Sequence, residues 1–240
     1  MESKVDIFIC SYLRQPFTAE TIKYIKERTT TPYKLFLLDN GGNSEFASQV
    51  DYYVGFKQNM GIHAIWNTAL ALATTDYFIT TDNDILVPSL DPDWLSQMIK
   101  FMDERPDYGA ISMHPHVFIG ALGIDPNDPQ DVVERNMCGA VMRIMRRSAV
   151  MQVGGWEHKI DPRRNHEERT ICSRLQDNGY KVGICSRIRA YHNFGKKVGG
   201  NWGYPSEITP EIQGHNPAIA EYVLSFDNRD SYNELTWMPK

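Results

Sequence analysis

Short apolar runs and amphipathic stretches alternate along the first hundred residues of this chain, and the apolar runs end in polar or acidic turns. Residues 4–10 (KVDIFIC) are a strand-like run closed by Ser11. Residues 18–28 follow at helical spacing, with Thr18 as the expected N-cap and Ile22 and Ile25 on one face. Residues 34–38 (KLFLL) read as a second buried strand, stopped by the turn Asp39-Asn40-Gly41-Gly42. Residues 51–54 give a third strand, and residues 62–73 a helix with Ile62, Ile65, Trp66, Ala69, Leu70 and Ala73 on a buried stripe. Residues 77–81 then run straight into Asp82-Asn83-Asp84. Asp91-Pro92 reads as an N-cap followed by proline at the first helical position. This order predicts an α/β domain: a mostly parallel central sheet flanked by helices, with ligands at the carboxyl ends of the strands. Asp39 and the 82–84 triplet both fall at such ends.

The second half is less regular. Residues 108–112 and 140–144 read as strands separated by a loop rich in Asp, Asn and Pro, residues 123–131. Residues 167–178 form a helix closed by Gly179 as its C′ glycine, and 182–185 and 188–191 are short strands. Beyond Gly199 the chain is turn-rich and aromatic. We therefore expect one domain over residues 1–198 and a tail or lid over 199–240 packed on it.

A hydrophobic content of 42% supplies a core for such a domain, and 23% charged residues is globular rather than disordered composition. Cysteines at 10, 138, 172 and 185 form no CxxC pair and no zinc-ligand spacing, so they read as buried free thiols in a reducing compartment. The first residues lack the basic and apolar regions of a signal peptide, and no apolar run approaches 18 residues. The expectation is a soluble, cytoplasmic protein with no transmembrane segment. Residues 140–200 carry 13 Lys+Arg against 5 Asp+Glu, although the whole chain has net charge −5. A basic segment on an acidic chain suggests an anionic partner there, or a solvated surface.

Two carboxylates flanking one residue at a strand end can hold Mg2+ or Mn2+ and leave coordination sites for phosphate oxygens. Asp82-Asn83-Asp84 fits that requirement, although Asp and Asn are also common turn residues. Asp39 is either a ligand contact or a cap on its own turn. His114 and His116 share one strand face without an acidic partner, which makes a weak metal site. Arg146-Arg147 and Arg163-Arg164 either steer a polyanion or are solvated.

Several segments taken in order resemble the GT-A-fold glycosyltransferases, specifically the large family 2 of inverting enzymes. They are IFICSYLRQPFTAETIKYI, KLFLLDNGGN, QNMGIHAIWNTALALATTDYFITTDNDILVP, GGWEHKI, HEERTICSRLQDNGYKVGI and AYHNFG, spanning about residues 4 to 195. The resemblance implies a nucleoside-diphosphate sugar as donor, with a UDP-sugar favoured, and transfer to an acceptor hydroxyl. It implies that Asp39 contacts the nucleoside, that Asp82 lies beside the diphosphate or ribose, and that Asp84 binds Mn2+ or Mg2+ with His192 completing the coordination. Arg14, Gly61 and Asn67 join the donor-binding set, and Trp156, Trp202 and Tyr204 the substrate or lid set. Leu13 replaces a polar residue often found beside Arg14.

Inversion needs a carboxylate to remove the acceptor proton. The family places it second in a Glu-Asp pair at a helix start, where this chain has Glu167-Glu168. The departure lengthens the second side chain by one methylene, and a helix N-terminus keeps a carboxylate ionised. Glu168 is the expected base, with Glu167 the alternative. Thr170 stands where the family often has a further Asp. The acceptor is open: a glycan precursor, a phosphopolymer or a modified nucleic acid base. Two rivals stay open as well, a nucleotidyltransferase using the same acidic pair and a non-catalytic nucleotide-sugar-binding protein. The first is disfavoured because SYLRQPF, after the first strand, has no glycine for a phosphate loop.

Overall fold

The computed structural model describes residues 5–12, 15–41, 44–115, 130–157, 167–192 and 236–239, with residues 44, 192 and 236–239 described as backbone. Strand β1 (Val5–Ser11) is buried at every position, as a strand covered on both sheet faces must be. Its neighbours β2 (Tyr33–Asp39) and β4 (Tyr77–Asp82) pair with it in parallel, and β3 (Tyr52–Gly55) extends the sheet beyond β2. The crossovers are α1 (Gln15–Arg28), a 3-10 turn at Ser44–Gln49 and α2 (Ile62–Leu72). After β4 come the two-residue β5 (Ile85–Leu86), α3 (Trp94–Asp103), β6 (Tyr108–Pro115), β7 (Val132–Arg135), β8 (Arg143–Arg146), α4 (Arg147–Gln152), α5 (Glu167–Asp177), β9 (Lys181–His192) and β10 (Thr236–Pro239).

The strand order is β10-β3-β2-β1-β4-β8-β6-β9-β5, with β7 on β9. β8 is antiparallel to both β4 and β6, so the sheet is mixed, with a parallel core. One apolar layer joins Ile7, Ile9, Leu35, Leu37 and Ile79 to Trp94 and Met98. The opposite layer joins Phe8, Phe36 and Phe78 to Trp66, Trp156, Ile171 and Leu175. The two layers are the alternating faces of the same strands.

Three boundaries differ from expectation, each for a local reason. Helix α1 starts at Gln15, so Thr18 is an interior residue and not a cap; its buried hydroxyl lies 2.9 Å from Ser11 Oγ. The cap of α3 is Asp93 rather than Asp91, and its Oδ1 accepts from Ser96 N at 2.9 Å. The strand expected over 140–144 begins only at Arg143, because Met142 sits in left-handed backbone, φ 46°. β7 was not anticipated, and the two short strands expected after Gly179 are one continuous β9. Of the expected tail, only residues 236–239 are described, as a strand antiparallel to β3.

Asp93 is also a cross-link. Its Oδ2 accepts from Thr30 N, Thr30 Oγ1 and Thr31 N at 2.6–2.8 Å, tying the end of α1 to the start of α3. Burial alone would raise this carboxyl, but the hydrogen bonds from Thr30, Ser96 and Thr31 outweigh it and hold it at about 2. Asp93→Ala removes the cap and orphans these donors, so we expect a loss of about 2–3 kcal/mol in urea unfolding at pH 7. Because the folded pKa is depressed, that contribution is complete above the ordinary carboxylate range and fades as pH falls toward 2. Wild type and variant should therefore converge in strong acid.

Candidate functional site

The parallel strands β1, β2 and β4 deliver Ser11, Asp39 and Asp82 to one edge of the sheet, and the site is assembled there. Asp39 ends β2 and is buried; it accepts from Tyr53 Oη at 3.0 Å and from Gly41 N at 3.1 Å. Burial and the Asp39 charge push the Tyr53 phenol well above its usual range. Next to it, Asn40 accepts from Met60 N at 2.7 Å and donates to Asn59 Oδ1 at 2.7 Å, while Asn59 accepts from Gly61 N. This chain of amides fastens the start of α2 to the end of β2. Gly61, at φ 77° before α2, adopts backbone that favours glycine.

The triplet after β4 is held from below. Asn83 is buried, donates to Thr18 Oγ1 at 2.8 Å and accepts through its carbonyl from Thr21 Oγ1 at 2.8 Å. Asn83 is therefore the anchor on α1, and the two aspartates flank it, with Asp82 half-buried and Asp84 buried. Opposite the triplet, the main chain of His192 pairs with Ile85, the residue after Asp84. Sheet topology thus brings residue 192 beside the triplet from more than a hundred positions away.

Helix α5 brings the third component. Glu167 and Glu168 open it, yet their surroundings differ. Glu167 is buried and pairs with the fully buried Arg143, Nη2 to Oε2 at 3.2 Å, and the same oxygen accepts from Trp156 Nε1 at 2.9 Å. Arg143 also donates to Thr80 Oγ1 and to the Cys138 carbonyl, so its fork is satisfied on three sides. Glu168 is half-buried, and its carboxylate lies close enough to Asp82 to raise that group. The Ala140 carbonyl accepts from Asp82 N at 3.1 Å. The loop at residues 139 and 140 therefore lies against both the strand-end aspartate and the helix-start glutamate. The fit is tight on that side, since a methyl group added at Gly139 would lie 3.2 Å from Glu168 Oε1.

The electrostatics match this geometry. Burial, then Asp84, Glu168 and Glu167, raise the Asp82 carboxyl well above the usual range against the weaker pull of Arg143. Burial and Glu167 raise Glu168, opposed by Arg143 and by the main chain at Ala140. Several carboxylates share an edge with one buried guanidinium that Glu167 already occupies. The neighbouring carboxylates of Asp82 and Asp84 are hard oxygen donors of the kind a divalent cation takes, and among the described residues no third His, Cys, Asp or Glu joins them in a metal-binding group.

Other expected residues lie elsewhere in the design. Both amide atoms of Asn67 bond the main chain of Trp156, at 2.9 and 3.0 Å, so Asn67 clamps the turn at Gly155 and Trp156 instead of presenting its amide to a ligand. Trp156 is fully buried, its indole committed to Glu167, and is not a surface platform for substrate. Arg146 is neither solvated nor steering: it donates to carbonyls of Met102, Arg105 and Tyr108. All four cysteines are free and buried. Arg14, Leu13, His116, Arg163, Arg164, Trp202 and Tyr204 lie outside the described residues. Arg143 was not foreseen, although an arginine inside the apolar run AVMRIM is itself a signal, because a buried cation requires a partner.

Removing one partner of the buried pair strands the other charge. Arg143→Met should cost about 3–5 kcal/mol in urea unfolding. Adding Glu167→Gln to that variant should recover part of the loss, which a double-mutant cycle measures directly.

The chain matches the family model for glycosyl transferase family 2 over residues 6–154. No curated protein sequence matches it significantly. Among solved structures it is similar to the mannosyltransferase PcManGT from Pyrobaculum calidifontis, determined with GDP-Man and Mn2+: TM-score 0.66, 16% identity, 98% of this chain and 73% of that one. It is also similar to S. aureus TarS 1–349 determined with UDP-GlcNAc: TM-score 0.59, 14% identity, 95% and 69% of the two chains. Against a longer TarS structure the TM-score is 0.57 at 12% identity, and the chain spans 36% of that protein's length. Among the described residues no helix is long and apolar enough to cross a membrane. The strand-end aspartates, the antiparallel β8 beside β4 and the family match over most of the sheet lead to one conclusion: the chain is a GT-A-fold protein of glycosyl transferase family 2.

Proposed function

We propose that the protein is an inverting glycosyltransferase that moves a sugar from a nucleoside-diphosphate donor, with a UDP-sugar favoured, to an acceptor hydroxyl. The observation that carries this reading is the placement of the two glutamates: the loop at residues 139 and 140 lies against both Glu168 and Asp82, while Arg143 and Trp156 hold Glu167 away from any acceptor. Asp84, Asp82 and His192 would hold Mn2+ or Mg2+, which when bound supplies charge neutralisation for the departing diphosphate. Asp39 contacts the nucleoside at the end of β2. Glu168 takes the acceptor proton at its carboxylate as the hydroxyl attacks from the face opposite the phosphate. Its raised proton affinity is the direction a general base requires. The four buried thiols support a reducing compartment, and we place the protein in the cytoplasm.

The experiment is a thermal-shift panel of UDP-, GDP- and dTDP-sugars with Mn2+ and with EDTA. Stabilisation by one nucleotide class, greater with Mn2+, is expected. Equal stabilisation by ATP or CTP would favour a nucleotidyltransferase, and no stabilisation by any nucleotide sugar would refute the reading.

A further inference from the structure

β9 is long, and its two faces divide sharply near its carboxyl end. Ile188 and Ala190 are buried in the layer that also holds Ile85, Val87 and Met113. Alternation sends Arg187, Arg189 and Tyr191 to the other face, where Tyr191 is 49% exposed and Arg189 half-buried. Arg187 is ion-paired with Asp131 at 2.9 Å. Arg143, Arg146 and Arg174 likewise have carboxylate or carbonyl partners. Arg189 makes no hydrogen bond or ion pair with the described residues. A half-buried arginine still presents five donors, so one without a partner among the described residues is suited to an incoming oxyanion.

Its place in the fold gives that oxyanion a role. Arg189 is the register partner of His114, near the carboxyl end of β6, and lies three residues before His192, about 10 Å along the strand. In the sheet, β2 with Asp39 is two strands to one side of β4, and β9 is three strands to the other. The donor nucleoside and Arg189 therefore flank Asp82 from opposite sides. The layer facing the same way as Arg189 also receives α5, whose first turn carries Glu168.

We propose that Arg189 is the anion-binding group of an acceptor subsite, and that the hydroxyl to be glycosylated belongs to a molecule carrying a phosphate or carboxylate. This rests on the transfer reading above and goes beyond it by assigning the acceptor's chemical class. The planar fork of Arg189 takes two oxygens of the anion, and the separation from the triplet leaves room for a polyol or sugar unit between the anion and the reacting hydroxyl.

The test is ligand-observed NMR titration of the full chain in EDTA, so that no cation can bridge a probe to Asp82 or Asp84. The probes are glycerol 3-phosphate, glycerate and glycerol. At least one anion is expected to bind the wild type, with glycerol undetectable, and whichever binds identifies the class. Arg189→Gln should weaken that binding about tenfold and Arg189→Lys less, because a lone ammonium keeps charge without the fork. Arg187→Gln should change it less than about twofold, its charge being already paired. Equal binding by wild type and Arg189→Gln, or no binding of either anion, overturns the proposal. Should Arg189→Gln fail to fold, Arg189→Lys decides, and unchanged affinity in that variant counts against it. The thermal-shift panel stays separate: nucleotide-sugar binding without anion binding removes only the acceptor class, whereas anion binding without nucleotide-sugar binding removes the transfer reading and leaves Arg189 an anion site with no acceptor role.

Discussion

Glu168→Gln should lower sugar transfer by roughly 10²–10⁴-fold with little change in stability, since a positioned general base contributes about that much. The substitution keeps shape and length, so the packing against Gly139 and the hydrogen bond from Asp82 N to the Ala140 carbonyl are undisturbed. Only the proton-accepting capacity is lost. The companion Glu167→Gln has the opposite profile. Its carboxylate is bonded to Arg143 and Trp156, so its loss should appear first as destabilisation and only secondarily in turnover. Measuring kcat and urea stability on both variants separates the two residues. Near-normal turnover in Glu168→Gln, with loss in a stably folded Glu167→Gln, would reverse the assignment.

Asp84→Ala should be the more severe change in donor chemistry, about a thousandfold or more in turnover. A bound divalent ion contributes several kcal/mol of charge stabilisation, and each ~1.4 kcal/mol is a factor of ten. The fold should survive, because Asn83 fixes the triplet to Thr18 and Thr21. Relief of repulsion toward Asp82 offsets some of the lost contacts. Electron paramagnetic resonance of free Mn2+ gives the binding constant directly, and we expect Asp84→Ala to weaken it by more than tenfold. Unaltered Mn2+ affinity would place the cation elsewhere. Asn83→Ala is the informative contrast, since it should cost stability first by freeing the turn from α1.

The features legible in the sequence are those with a strong one-dimensional signature. Strands buried on both faces read as unbroken apolar runs, which is why VDIFIC, KLFLL and YFIT point to the correct elements. The acidic residues that terminate them follow at once, so Asp39, Asp82 and Asp84 stand out. Boundaries were less legible because several polar residues compete for each cap. Thr18 has the right chemistry for an N-cap, but its hydroxyl is taken by Ser11 and Asn83; Asp93 prevails over Asp91 because Thr30 and Thr31 are within its reach. Neighbouring glutamates cannot be told apart in one dimension, since what separates Glu167 from Glu168 is an arginine 24 residues earlier and an indole 11 residues earlier. Asn67 shows the same limit, because a helix residue close to a ligand-binding edge can be used entirely on a distant turn.

The most direct measurement is release of nucleoside diphosphate from the nucleotide sugar that the thermal panel selects, followed with Mn2+ and with EDTA, for wild type and Asp84→Ala. Release by wild type should require Mn2+ and be lost in Asp84→Ala. Release that persists in EDTA, or that Asp84→Ala sustains at the wild-type rate, would rule out a metal-dependent transferase centred on Asp84.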